Sequence, residues 1–252
     1  MKAMKIKRRY AILLAPVGVL LLGGFQAAQR ATAPAGDPLI EGFRKTTVAS
    51  VADAVDQVVG QRGFMSHDMK PRIPGAFVGR ATTALLRPAP PEKATATLSA
   101  KHSIEMIDNA RPGQVGVIVV EGTLDVAGMG GLMGTTAKAR GMAGMVVDGS
   151  VRDIAELRAL ALPVYARGVV PSTSVGRYAS VARDVPVTCA GVTVRPGDII
   201  VAGEDGVVVV PADKAEQVLK RAQEIDERET KMVPLIKQYK SLQKVVEMFN
   251  RI

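Results

Sequence analysis

The chain has 252 residues, room for one sizeable domain with extensions, and 47% of them are hydrophobic, enough for a real core. Aromatics make up only 4%, with no Trp, so aliphatic side chains must fill that core. The formal charge is +9, but Lys2, Lys5, Lys7, Arg8, Arg9 and Arg30 all lie in the first 30 residues, which hold no acid. Nine minus six leaves +3 for the rest, which argues against a nucleic-acid partner, because that affinity needs a clustered basic surface.

Residues 1–35 read as an export signal. Lys5 to Arg9 form a charged start, Ala11 to Phe25 an apolar run, and Ala33-Pro34-Ala35 a cleavage site. The apolar run falls short of the roughly 20 residues of a spanning helix. Cleaved, the signal places the protein in the periplasm or outside the cell. Retained, it is an N-terminal anchor and the one route to a membrane. The single Cys189 excludes an intramolecular disulfide. It sits in a strand-like run with neither His nearby in sequence, which reads as core rather than nucleophile.

Residues 36–45 read as a linker. Val48, Val51, Ala52, Val55, Val58 and Val59 share one face, which predicts a helix over 48–59, and Ser50 with Asp53 resembles a capping box that would start it nearer Val51. Residues 60–75 look irregular, with His67 and Asp68 as a solvated loop pair rather than metal ligands. A strand is expected over 76–86, a Pro-rich turn over 87–92, and a short helix over 100–109 with His102 on its surface. The apolar run 115–120 suits a strand covered on both faces. Further on come a helix over 153–162, a strand over 163–166, a Pro-Gly-Asp turn at 196–198, and a hairpin of 199–202 with 207–210. A helix starts near Ala212 and should break or kink at Pro234, and residues 241–252 are amphipathic. This alternation predicts a mixed α/β domain over 46–225 with a C-terminal helical extension over 226–252.

One stretch stands out, from Gly130-Gly131-Leu132-Met133-Gly134 to Val151-Arg152-Asp153. A glycine turn leads into a helical run, Thr135 to Arg140; Met145 to Val147 is a buried-type strand; Asp148-Gly149-Ser150 turns at its end. This order brings helix-start amides, an anion site, near a cation and a carboxylate able to hold Mg²⁺. The plainer reading makes Arg152 and Asp153 a surface ion pair, with Asp153 the N-cap of the helix that follows.

The segment resembles the family of the regulator of ribonuclease activity A and the class II 4-hydroxy-4-methyl-2-oxoglutarate aldolases. The matching residues are the Gly130-to-Met133 turn, Ala139-Arg140-Gly141, Gly144, Val146 to Gly149 and Val151-Arg152-Asp153. Downstream, Pro163 to Gly168, Arg195 to Asp198 and Asp205 to Pro211 also match, and upstream Arg111-Pro112-Gly113 does. The resemblance runs from about Thr46 to Lys231. An older label of the family, a methyltransferase of menaquinone synthesis, finds no glycine-rich nucleotide fingerprint after the first strand.

The resemblance implies an α/β sandwich of the swivelling-domain type with a mixed sheet, assembled as a homotrimer or as a hexamer of two trimers. It implies a divalent-metal lyase, with Mg²⁺ or Mn²⁺, that cleaves 4-hydroxy-2-oxo acids or decarboxylates oxaloacetate to pyruvate through an enolate. Carried over, Asp153 holds the metal, Arg152 binds the 2-oxo group, and the amides of Gly130, Gly131, Leu132 and Met133 hold the substrate carboxylate. A Glu from a neighbouring subunit is expected on the C-terminal helix, with Glu229 the best positional match and Glu227 the runner-up. The chain departs from the enzymes' pattern at Gly131, where many carry Asp or Glu 21 residues before the Arg, and at Gly203, where Asp is frequent. Gly131 favours the other reading of the family, a non-catalytic oligomeric binding or regulatory protein with a vestigial site.

Overall fold

The computed structural model describes residues 36–249, so the expected export signal lies outside the described residues. In chain order the helices and strands are α1 (Pro38–Phe43), α2 (Val48–Val59), β1 (Lys70–Ile73), β2 (Phe77–Pro88), α3 (Lys101–Asp108), β3 (Val115–Val120) and β4 (Ala127–Met129). There follow α4 (Gly131–Ala139), β5 (Gly144–Val151), α5 (Ile154–Leu160), β6 (Val164–Val169), β7 (Tyr178–Arg183), β8 (Val187–Cys189) and β9 (Val192–Val194). The last elements are β10 (Ile199–Gly203), β11 (Gly206–Val210), α6 (Ala215–Tyr239) and α7 (Leu242–Phe249).

Nine strands form one mixed sheet in the order β1-β6-β5-β3-β2-β10-β11, with β4 paired to β5 and β7 to β2. Its centre, β6-β5-β3-β2, is parallel, and the outer pairings of β1, β10 and β11 are antiparallel. The twelve residues of β2 serve three partners, Phe77 to Arg80 pairing with β10, Ala81 to Leu86 with β3 and Ala84 to Pro88 with β7. Every residue of β3 is buried, because apolar layers cover both sheet faces. One layer packs Met106, Ile107, Met129 and Leu157 against Ile118 and Val147. The other packs Met65, Val187, Cys189 and Val194 against Val117 and Val146. A third cluster, with Phe43, Val51, Val55, Val218 and Ile225, covers β10 and β11. The expected α/β sandwich with a mixed sheet and a C-terminal helix is therefore the fold observed.

Helix α2 spans the residues its periodicity predicts, but the capping box does not form. Thr47 is the N-cap and accepts from the Ser50 amide at 3.1 Å, while the Ser50 hydroxyl donates to Asp226 on α6 at 2.7 Å. Several other expectations are corrected. The stretch read as a linker carries α1, capped by Asp37, with Phe43 fully buried. The irregular stretch before Gly75 contains β1, paired to β6. Asp148-Gly149-Ser150 is no turn: β5 runs on to Val151, its pairing with β6 shifting register between Val147 and Ser150 where Gly149 takes φ +149°. Helix α4 starts at Gly131 rather than Thr135. Helix α6 passes through Pro234 and ends at Tyr239. Pro234 and Thr230, whose carbonyl loses its helical donor, are both exposed, so water can replace the missing bond.

Candidate active site

The site forms where two neighbouring parallel strands end together. Met129, the last residue of β4, pairs with Val151, the last of β5, and the Arg152 amide donates to the Met129 carbonyl at 3.1 Å. Gly130 and Arg152 therefore leave the sheet side by side, at the carboxyl ends of the strands, where open α/β sheets place ligand sites.

From there the chain enters α4 and α5. Gly130 stands at the N-cap of α4 in extended conformation and caps nothing. The first helical bond is Gly134 to Gly130, at 3.0 Å, so the amides of Gly131, Leu132 and Met133 precede the intrahelical ladder. Gly131 donates to the Asp153 carboxylate at 2.9 Å. The amides of Leu132 and Met133 stay outside that ladder, at the positive end of the helix dipole, where a helix start favours an anion.

Asp153 precedes α5 but does not cap it: it sits in the left-handed region, φ +58°, and makes no side-chain bond to its own helix. Its carboxylate turns back to α4, which corrects the N-cap reading. Arg152 Nε lies 3.6 Å from the same Asp153 oxygen, too long for a hydrogen bond, and both side chains are partly exposed. The missing side chain at Gly130 makes room for both. A Cβ there would stand 2.5 Å from Asp153 Oδ2 and 3.2 Å from Arg152 Nε.

The structure thus gathers Gly130, Gly131, Leu132, Met133, Arg152 and Asp153 in one place. It does not bring Glu227 or Glu229 there within one chain, since both are exposed on α6, which packs on α1, α2 and α7. Leu132 points outward and is 88% exposed, and it lines one shallow hollow with the exposed Ile104. Lys138 is a surface residue of α4 that donates to the Ala161 carbonyl at 3.2 Å. His67 and Asp68 are not a pair: Asp68 accepts from Arg167 at 2.8 Å. Burial opposes ionisation of Asp68, yet that guanidinium holds its carboxyl below the usual range. Cys189 is fully buried, and burial pushes its thiol well above the ordinary value, as suits a core residue. Glu156 had no role in the motif, yet its carboxylate reaches the space beside Gly131. Its place three residues after Asp153, one helical turn on, was the available signal.

The fold and the site define an α/β sandwich whose strand ends gather helix-start amides, an arginine and a carboxylate. The comparisons make the class specific. The family model described as "RraA-like: Aldolase/RraA" matches residues 48–209, and the chain belongs to that family. A Halalkalibacterium halodurans protein, provisionally named a 4-hydroxy-4-methyl-2-oxoglutarate aldolase, is 41% identical over 117 residues, 45% of this chain and 53% of that one. A crystal structure of a Pseudomonas syringae pv. tomato protein superposes with a TM-score of 0.75 at 28% identity, over 86% of this chain and 96% of that one. Streptomyces coelicolor RraAS2, described as an unusual member of the RNase ES inhibitor RraA family, gives a TM-score of 0.69 at 27% identity, over 79% and 96%. The matched region spans between about half and two thirds of the length of the curated relatives.

Proposed function

We propose that this protein is a divalent-metal-dependent lyase that forms pyruvate from 2-oxo acids, by cleaving 4-hydroxy-2-oxo acids of the 4-hydroxy-4-methyl-2-oxoglutarate type or by decarboxylating oxaloacetate. The observation that carries this reading is the convergence of Arg152 and Asp153 on the start of α4, where the Leu132 and Met133 amides stand outside the helical ladder.

The donor set suits Mg²⁺ or Mn²⁺. Asp153 uses one oxygen on Gly131 and keeps the other for a cation. Among the described residues no group of three or more His, Cys, Asp or Glu forms a closed cage, and Mg²⁺ typically takes one or two carboxylates and keeps its waters. Bound there, the cation supplies fixed positive charge against the enolate left when the C–C bond breaks. The Leu132 and Met133 amides take the substrate carboxylate, and the Arg152 guanidinium takes the 2-oxo oxygen as it gains charge. In decarboxylation the bonding pair stays on the enolate carbon, CO₂ leaves, and a proton from water completes pyruvate. No base is required. Aldol cleavage must also remove the 4-hydroxyl proton.

The exposed Leu132 beside Ile104 supports association of copies into a trimer or hexamer, with Glu229 or Glu227 of α6 approaching a neighbour's site. The charge and apolar pattern of residues 1–35 supports export to the periplasm. Gly131, which brings no carboxylate, supports a second reading, an oligomeric regulatory protein with a vestigial site, and RraAS2 belongs to a family named for inhibition.

Pyruvate release by the full-length protein separates the two. Oxaloacetate and 4-hydroxy-4-methyl-2-oxoglutarate are offered with Mg²⁺, with Mn²⁺ and with chelator, beside Asp153→Asn. Metal-dependent turnover above the free-metal background, lost in the variant, is the expected result. Turnover equal to free metal with a folded protein would leave the regulatory reading.

A further inference from the structure

Helices α6 and α7 lie beyond the residues matched by the family model, which end at 209. Helix α6 ends at Lys240, in the left-handed region, and the chain then enters α7. Met232 of α6 and Val245 of α7 are buried, and α6 is the element that α7 packs against. Lys244 Nζ lies 4.0 Å from the centroid of the Tyr239 ring, which ties the two helices at their corner. This packing leaves a mixed face outside. Leu242 and Met248 are 51% and 52% exposed, and Val233 and Tyr239 are exposed as well. Val233 and Lys237 stand four residues apart, as do Lys244 and Met248, so each pair shares one side of its helix. Residues 231–249 hold four lysines, all exposed, against one acid, Glu247. Among the described residues none of the four has a carboxylate at ion-pair distance.

Exposed apolar groups beside unpaired lysines suit a helix that lies in a membrane interface. The apolar side chains enter the boundary of the acyl layer, and the lysines reach anionic headgroups with their stems along it. No helix among the described residues is long and apolar enough to cross a membrane, so α7 would lie along one. A nucleic acid would meet the lysines but gain nothing from Leu242 and Met248. A second copy would cover the apolar groups, but the chain is net basic even beyond residue 30 and brings no opposite charge to the lysines. We propose that the corner of α6 and α7 is a docking surface for an anionic phospholipid membrane, with Leu242 and Met248 seated among the lipids and Lys237, Lys240 and Lys244 on their phosphates. This route to a membrane does not pass through residues 1–35, and it is independent of the lyase reading.

The test uses the full-length protein with a polarity-sensitive thiol dye on Met248→Cys, which takes the label alone because Cys189 is fully buried. A second sample carries the dye on Lys93→Cys, exposed on the turn that packs against β7. Each meets vesicles of phosphatidylcholine alone and of phosphatidylcholine mixed with phosphatidylglycerol. The expected result is a blue shift at 248, and not at 93, on the mixed vesicles only. Lys237→Gln, Lys240→Gln and Lys244→Gln combined should weaken that binding on the order of 100-fold, with thermal melting unchanged. No shift at 248 overturns the proposal. So does an equal shift on phosphatidylcholine alone, which insertion of residues 1–35 would give, or a shift that the three glutamines leave as it was. An equal shift at 93 overturns it too, as adsorption without a preferred face. A dye at 248 that is already shifted without vesicles, and loses the shift when the protein is diluted to monomers, overturns it in favour of a second copy.

Discussion

The Asp153 carboxylate accepts the amide hydrogen of Gly131 at 2.9 Å, so the residue that opens α5 in fact caps α4. This cross-helix cap sets the angle between the two helix starts and aims Asp153 at the space above them. It also separates two substitutions usually treated alike. Asn tolerates the left-handed conformation at φ +58° and its amide oxygen can keep the Gly131 bond, so Asp153→Asn should retain wild-type stability while losing metal-dependent turnover. Ala loses the cap and strains the backbone, and Asp153→Ala should cost about 2 kcal/mol in denaturant unfolding. Equal stabilities for the two variants would contradict the cap.

Gly130→Ala tests the room left beside the pair. Its φ of −144° is ordinary extended backbone, so no backbone strain is added and the fold should lose at most the Asp153 cap, about 1 kcal/mol in denaturant unfolding. The added methyl meets Asp153 Oδ2 and Arg152 Nε and pushes both from their places. Displacement of reacting groups by about 1 Å costs roughly 10²-fold, which is the expected fall in pyruvate release. Unchanged turnover would place the chemistry elsewhere.

Arg167 clamps the middle of the sheet to its loops. It donates to Asp68 at 2.8 Å and to Asp148 at 3.0 Å, and the other Asp148 oxygen accepts the Ala190 amide at 2.6 Å. The Asp148 side chain is only 13% exposed, so Arg167→Ala leaves a largely buried carboxylate without its cation. Because Arg167 itself is about a third exposed, the loss should be about 1–2 kcal/mol in denaturant unfolding rather than the larger cost of a dry pair.

The same clamp gives an acid limb. The Asp68 carboxyl is held below its ordinary value, so its contribution is present above about pH 4 and is lost as pH falls through the folded value. Asp68→Asn should be less stable than wild type at neutral pH and should approach it as the solution is acidified. A constant gap across that range would mean that Asp68 acts through packing.

Cys189 sets an alkaline limb of opposite sign. Burial, with the Asp148 charge adding to it, holds the folded thiol well above 9.0, the value of a free thiol. Above pH 9 the unfolded chain ionises while the native one does not, so stability falls as pH rises. Cys189→Ala should flatten that fall, and native Cys189 should resist iodoacetamide at pH 8. Rapid native alkylation would contradict its burial.

What the sequence determined by itself is what depends on neighbours along the chain. The Val48–Val59 helix, the buried β3, the β10–β11 hairpin and the motif around Arg152-Asp153 all rest on periodicity, turns or contiguous residues. Only the tertiary structure decided the rest. The three-residue strand β4 exists because β5, distant along the chain, completes its hydrogen bonds, and β8 and β9 hold each other in a local hairpin; three residues carry no usable period. The extension of β5 past Asp148 follows from pairing with β6, which outweighs the turn chemistry of Asp-Gly-Ser. Asp153 caps α4 instead of α5, and Glu156 fills the space beside Gly131, because parallel strands bring two helix starts together across about twenty residues of chain. Distances through space decide which carboxylate meets which amide, and the linear order of residues does not contain them.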